Sequence, residues 1–128
     1  MAAERGLWTI EEYCTARGEN LVRAFLASLD RRDRVDAFAL LKLLTERGNT
    51  LRLPHSRALG DGLFELRGEQ VRLFYMFRPR RRITLLDGMI KKRDTIPAAV
   101  LQRVRGYQAT VLMIDEAARG SRGQQGRR

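Results

Sequence analysis

The sequence has one cysteine, three prolines and one histidine in 128 residues, and only three of its 25 basic residues are lysines. The lone Cys14 excludes an internal disulfide and a zinc site of the usual spacing, and reads as a small semi-buried apolar residue. With so few prolines and 44% hydrophobic residues the composition is that of a folding chain, sized for one domain with one core. No run of about eighteen apolar residues is present, so no membrane span is expected. The start MAAERGLWTIEEY lacks the charged-then-apolar order of a secretory signal, which predicts a cytoplasmic protein. There is no His/Cys cluster, no Ser-His-Asp arrangement and no glycine-rich phosphate loop. Neither a metal nor a cofactor is expected.

What is abundant is arginine, and its placement is uneven. Residues 1–50 hold eight basic and eight acidic side chains, whereas residues 51–128 hold seventeen basic and seven acidic ones. All of the net charge of +10 therefore lies in the second part. Such asymmetry fits a face that binds a polyanion, because each phosphate neutralised by Lys or Arg releases counterions. A solvated basic surface with a basic tail fits it too.

Periodicity organises the chain. LWTIEEY (Leu7 to Tyr13) reads as an opening strand. Leu21, Val22, Phe25, Leu26 and Leu29 recur at helical spacing, as do Val35, Phe38, Leu41 and Leu44 in the stretch from Arg32 to Arg47, which Gly48 and Asn49 end. LRLPHSRALGDG reads as a loop, with Pro54 and Asp61-Gly62 as turn residues. Leu63–Arg67, Gln70–Phe77 and Arg82–Ile90 then read as three antiparallel strands in a meander. Pro97 opens a last helix whose core face is Val100, Val104, Tyr107, Val111 and Ile114. The expected fold is α+β in the order βααβββα, a small antiparallel sheet with helices packed on one face. Residues 1–118 form the domain and 119–128 a flexible basic tail.

The stretch VRLFYMFRPRRRITLL, residues 71–86, places charge where a strand should be buried. By alternation Val71, Leu73, Tyr75 and Phe77 share one face, and Arg72, Phe74, Met76 and Arg78 the other. If that second face is open, Arg72 with Arg67 and the basic pair Lys91-Lys92 forms a positive cleft suited to RNA, where guanidinium groups pair with phosphates and bases stack on rings. The competing reading pairs Arg72 with Glu65 across the strands.

LPHSRALGDGLFELR (Leu53 to Arg67), VRLFY (Val71 to Tyr75) and LLDGMIKKRDTIP (Leu85 to Pro97) together resemble the RelE/ParE toxin superfamily, and within it the HigB-like, phage-derived branch. The resemblance spans nearly the whole chain. It implies a small α+β toxin of a type II toxin-antitoxin system, neutralised by a helix-turn-helix, HigA-like antitoxin, that acts as an endoribonuclease on messenger RNA at the ribosome. It carries Arg72 over as the strand arginine near the scissile phosphate and Lys91 and Lys92 as the basic pair after the last strand. Arg67, Tyr75, Arg57, Arg78 and Arg93 follow as RNA-binding residues, and His55 lies in a loop able to approach the cleft. Relatives often have His-Gly-Phe where this chain has Asp87-Gly88-Met89, so no imidazole stands at that point.

Metal-independent cleavage by the 2′-hydroxyl needs a proton acceptor, a proton donor for the leaving 5′-oxygen, and positive charge on the transition state. Lys91 or Lys92, crowded by cations, is a candidate base. His55 is the natural proton-transfer group near neutral pH, or else a loop histidine bonded to backbone. Two other functions remain open, a nucleic-acid-binding module without catalysis and a ParE-like gyrase inhibitor that works through its last helix and tail. The sequence sets no oligomeric state.

Overall fold

The computed structural model of the chain describes residues 6–126. Strand β1 (Thr9–Glu12) is followed by helices α1 (Leu21–Ser28) and α2 (Arg31–Arg47) and a 3-10 turn at Gly48–Thr50. Strands β2 (Ser56–Gly60), β3 (Leu63–Arg67), β4 (Val71–Arg78) and β5 (Arg82–Ile90) come next, and helix α3 (Ala98–Gly126) closes the fold. The architecture is α+β, and the meander of β3, β4 and β5 lies where alternation put it.

Local chemistry sets the helix ends. The Asn20 side chain accepts from the Arg23 amide at 2.9 Å, and Asp30 accepts from the Asp33 amide at 2.9 Å, so each helix has a side-chain N-cap. Gly48 ends α2 with φ +50, and a Cβ there would run into the Trp8 indole. Glycine is required on both counts.

Four features differ from expectation. First, the segment 51–62 is not all loop, because Ser56–Gly60 pairs antiparallel with β3. Asp61 and Gly62, with φ +53 and +82, form the tight turn that joins the two strands. Second, the sheet is mixed, in the order β1-β5-β4-β3-β2, with β1 parallel to β5. No hairpin links those two, so connection length does not force them antiparallel.

Third, helices cover both faces. Val22, Ala37, Leu40 and Leu44 of α1 and α2 pack on Leu66, Leu73, Tyr75, Ile83 and Leu85, while Val104 and Val111 of α3 pack on Leu63, Phe74, Met76 and Leu86. Alternating residues of β4 are thus buried on both sides, as befits the central strand. Fourth, the expected tail is helical from Arg119 to Gly126, since no proline interrupts α3 and isolated glycines cost a helix only about 1 kcal/mol each. Arg127 and Arg128 of that tail lie outside the described residues.

Three residues expected in helix cores are exposed: Val35 at 64%, Phe38 at 54% and Ile114 at 56%. Helix α2 turns Ala37, Leu40 and Leu44 inward instead, and α3 sets the polar Gln108 in the buried row between Val104 and Val111. Cys14 is exposed rather than semi-buried. Among the described residues no helix is long and apolar enough to cross a membrane.

Candidate nucleic-acid interface

On the face that α3 covers, the strands align two cross-sheet rows beyond the first turn of that helix. Arg57, Glu65, Phe74 and Asp87 pair in sequence from β2 to β5, and Arg67, Arg72 and Met89 pair beside them. A register shift opposite Phe74 and Tyr75 leaves Leu86 without a partner on β4. This bulge carries Asp87 onto the α3 face and Gly88 beneath Phe25 of α1. Bulges beside functional sites commonly re-aim side chains in this way.

The rows end in a hollow lined by Glu65, Arg67, Arg72, Lys91, Arg93 and Thr95. Arg72 is its floor. It is only 6% exposed, yet charged partners and carbonyls hold it: its Nη1 donates to the carbonyls of Gly68 and Val71, and its Nε lies 3.7 Å from Glu65 Oε2. Burial pushes the Arg72 pKa below its ordinary value, Glu65 works against that shift, and Arg67 adds to it. Glu65, 4% exposed, also meets Arg67, with Nε to Oε1 at 3.6 Å. Both readings of Arg72 therefore meet in one geometry, since the Glu65 pair fixes a guanidinium that still borders the hollow. With Nη1 bonded to two carbonyls and Nε facing Glu65, Nη2 is the nitrogen that neither contact engages, so Arg72 offers a phosphate a single donor rather than a fork.

The two lysines diverge. Lys91 is anchored by its amide, which donates to the Gln70 carbonyl at 2.6 Å, and its ammonium lies 3.6 Å from the exposed Asp94. It lines the hollow with Arg72, whereas Lys92 lines a neighbouring one with Met89 and Pro97. Successive residues leaving a strand point to opposite sides, which separates them. Arg93 lines both hollows. Arg57 borders the same region from β2, together with Asp94, Thr95 and Ile96.

Three candidates lie elsewhere. Tyr75 is 1% exposed on the opposite face, stacked on Phe64 at 5.5 Å, with its hydroxyl hydrogen-bonded to Ser56. Burial raises its pKa. A spacing of three from Arg72 along a strand must put it there. Arg78, at the far end of β4, is bound by Asp115 of α3 through Nε at 3.0 Å and Nη2 at 2.6 Å. His55 lines a third hollow with Asp36, Leu40 and Leu43 of α2, and Arg67 alone connects it to the first.

Two of the three remaining arginines of the 71–86 stretch, Arg81 and Arg82, serve packing, while Arg80 is exposed. Arg81 donates to the Gly6 carbonyl at 2.6 Å and lies 4.7 Å over the Trp8 ring, a cation–π contact. Arg82 approaches Glu11 at 3.6 Å and Asp115 at 3.9 Å. Asp87, where an imidazole is absent, is buried and bound by Arg103 of α3 at 3.1 Å. Among the described residues no group of three His, Cys, Asp or Glu side chains is placed to hold a metal. Sequence reasoning named Glu65 only as a partner of Arg72 and did not single out Met89 and Thr95. Glu65 alone left a signal, two residues from Arg67 and hence on its face.

The profile of the family described as Phage derived protein Gp49-like (DUF891) matches residues 24–106, from α1 through the first turns of α3. No curated protein matches the chain. Among solved structures, a chain of the toxin-antitoxin complex RelBE2 from Mycobacterium tuberculosis is similar, with 18% identity and a TM-score of 0.49 over 66% of this chain and 99% of that one.

Proposed function

The chain belongs to the phage-derived Gp49-like family of RelE-like toxins, and from that premise we propose that it is the toxin of a type II toxin-antitoxin system that cuts messenger RNA on the ribosome. The observation that carries this reading is the convergence of Arg67, Arg72, Lys91 and Arg93 on one hollow beside the start of α3. A phosphodiester at the mouth of that hollow meets four cations, which outnumber the two carboxylates, Glu65 and Asp94, that also line it, and Arg72 is held rigid before the substrate arrives. Preorganised charge of that kind lowers a barrier because it needs no rearrangement during reaction.

The chemistry is attack by the 2′-oxygen on the adjacent phosphorus. The 2′-oxygen loses its proton as it bonds to phosphorus, the bond to the 5′-oxygen breaks, and that oxygen takes up a proton. Arg72 Nη2 and Arg67 stabilise the extra negative charge on the phosphoryl oxygens. Lys91, the one lysine that lines the hollow, is the proton-transfer group, and Lys92 and Arg57 bind flanking phosphates. His55, in its own hollow against α2, positions RNA at most. The reaction takes place in the cytoplasm, and a helix-turn-helix antitoxin of HigA type restrains it.

Inducing the protein in growing cells and mapping new 5′ ends on transcripts tests this reading. Cuts clustered in translated frames are the expected result. Intact transcripts with loss of supercoiling by purified gyrase would assign the ParE-like function instead, and RNA bound but uncut would assign a module without catalysis.

A further inference from the structure

Beside the cationic hollow, and sharing Met89, Arg93 and Thr95 with it, lies a second one of about 310 Å³, completed by Ile90, Lys92 and Pro97. Its size falls at the lower end of the range for small-molecule sites, about 300–1,000 Å³. Its walls are mainly apolar: the Met89 thioether, the Ile90 side chain and the Pro97 ring. Lys92, Arg93 and Thr95 are exposed around them. The main chain from Lys92 to Ile96 makes no backbone hydrogen bond among the described residues, so its donors and acceptors are free beside an apolar surface.

An occupant must match all three features, being apolar and compact, attached to negative charge, and polar at its edge. A nucleobase next to a bound phosphate has these properties together. We propose that this hollow seats one unstacked base of the RNA, next to the phosphate held by Arg67 and Arg72, with the Thr95 hydroxyl and the neighbouring main chain reading its edge. The inference rests on the RNA-cutting function proposed above and adds a source of base preference to it. Single-stranded RNA is read in this manner, through bases splayed out of the stack and hydrogen-bonded at their edges. Charge complementarity favours a base over an apolar peptide side chain, because Lys92 and Arg93 flank the opening and the adjoining hollow is cationic.

The test uses binding, so it does not depend on cleavage. A short single-stranded oligoribonucleotide is compared with copies carrying one abasic position each, against the wild-type chain and Thr95→Trp, whose indole fills the hollow. Thr95 is exposed, so the variant should keep the wild-type thermal transition. For wild type, one abasic position should weaken binding roughly tenfold, the scale of losing one seated base. Thr95→Trp should bind the intact strand as weakly as wild type binds that abasic copy, and should be insensitive at that position. Equal affinity for every abasic copy, or the same sensitive position in Thr95→Trp, overturns the inference. So does a Thr95→Trp variant that loses antitoxin affinity while its abasic profile stays that of wild type. Failure of the RNA-cutting function is a different result, namely a wild-type chain that binds with base sensitivity but leaves transcripts whole.

Discussion

At the scale of single residues, Arg72 and Tyr75 make a contrast that alternation along β4 decides. Both belong to the family-like VRLFY segment, and both are buried, but only Arg72 borders the cationic hollow. Arg72→Ala should cost about 2–4 kcal/mol of transition-state stabilisation, the usual loss when a preorganised donor is removed. It should also lower the thermal transition, because Glu65 keeps only Arg67 as a charged partner in a buried place. Transcript-cleavage rates normalised to folded protein separate the two effects, and a wild-type rate in a folded Arg72→Ala chain would remove Arg72 from the site. Arg72→Lys should rescue little, since one ammonium cannot bond the Gly68 and Val71 carbonyls, face Glu65 and still present a donor. Tyr75→Phe should do the reverse: cleavage unchanged and stability lower by about 1 kcal/mol through loss of the Ser56 bond. The position of Arg72 was legible because period-two alternation is strict. Its pairing with Glu65 was legible on the same ground, but its carbonyl partners were not, because pairing to main-chain carbonyls follows from the path of the Gly68–Gln70 turn, which no pattern of side chains announces.

At the scale of elements, arginine and aspartate tie α3 to the sheet, and this explains the arginines Arg78 and Arg82 on either side of the turn between β4 and β5. Arg78 and Asp115 are both about six-sevenths buried, with side chains 14% exposed, so Asp115→Asn should cost about 1–3 kcal/mol. The hydrogen bond from Arg78 holds the Asp115 carboxyl below its ordinary pKa, outweighing the opposing effect of burial. A group depressed on folding stabilises above its unfolded pKa, so this contribution is complete above about pH 4 and is lost as pH falls through the folded value. Urea titrations should therefore show the wild-type advantage over Asp115→Asn shrinking below about pH 4. In the same turn Arg80 and Arg81 take φ of +64 and +55. Arg81 has its contact with Trp8, but Arg80 is exposed, so Arg80→Gly should raise stability by about 0.5–1 kcal/mol. A drop in the urea midpoint for Arg80→Gly would mean that its side chain has a role of its own. Strands β3, β4 and β5 were legible from their patterning and turn residues. Strand β2 was not, since SRALG is a short, exposed edge with no alternation, and the inward face of α2 was misread because Ala37 is small where Val35 and Phe38 are large.

At the scale of the whole molecule, the excess charge after residue 50 was plain in the sequence, but how much of it faces a ligand was not. Arg72, Arg78, Arg82 and Arg103 are engaged by Glu65, Glu11, Asp87 and Asp115, which takes four of the seventeen basic side chains of that region into structural pairs. Five cations that are not buried line the hollows at the α3 start, Arg57, Arg67, Lys91, Lys92 and Arg93, of which Arg67 also faces Glu65 and Lys91 also faces Asp94. Each phosphate contact on a single strand contributes about −0.7 to the slope of log K against log salt, so five give about −3.5, whereas all seventeen basic residues of that region would give about −12. Affinity for a short single-stranded RNA, measured between 50 and 200 mM salt by fluorescence anisotropy, should therefore follow a slope of about −3 to −4. Replacing Lys92 by alanine should reduce that slope by less than about 1, and deletion of residues 120–128 should leave it unchanged, because all five of these cations precede α3 in the chain. A slope steeper than about −6, or one that falls by 2 or more on deletion of 120–128, would place RNA along α3 rather than across its start.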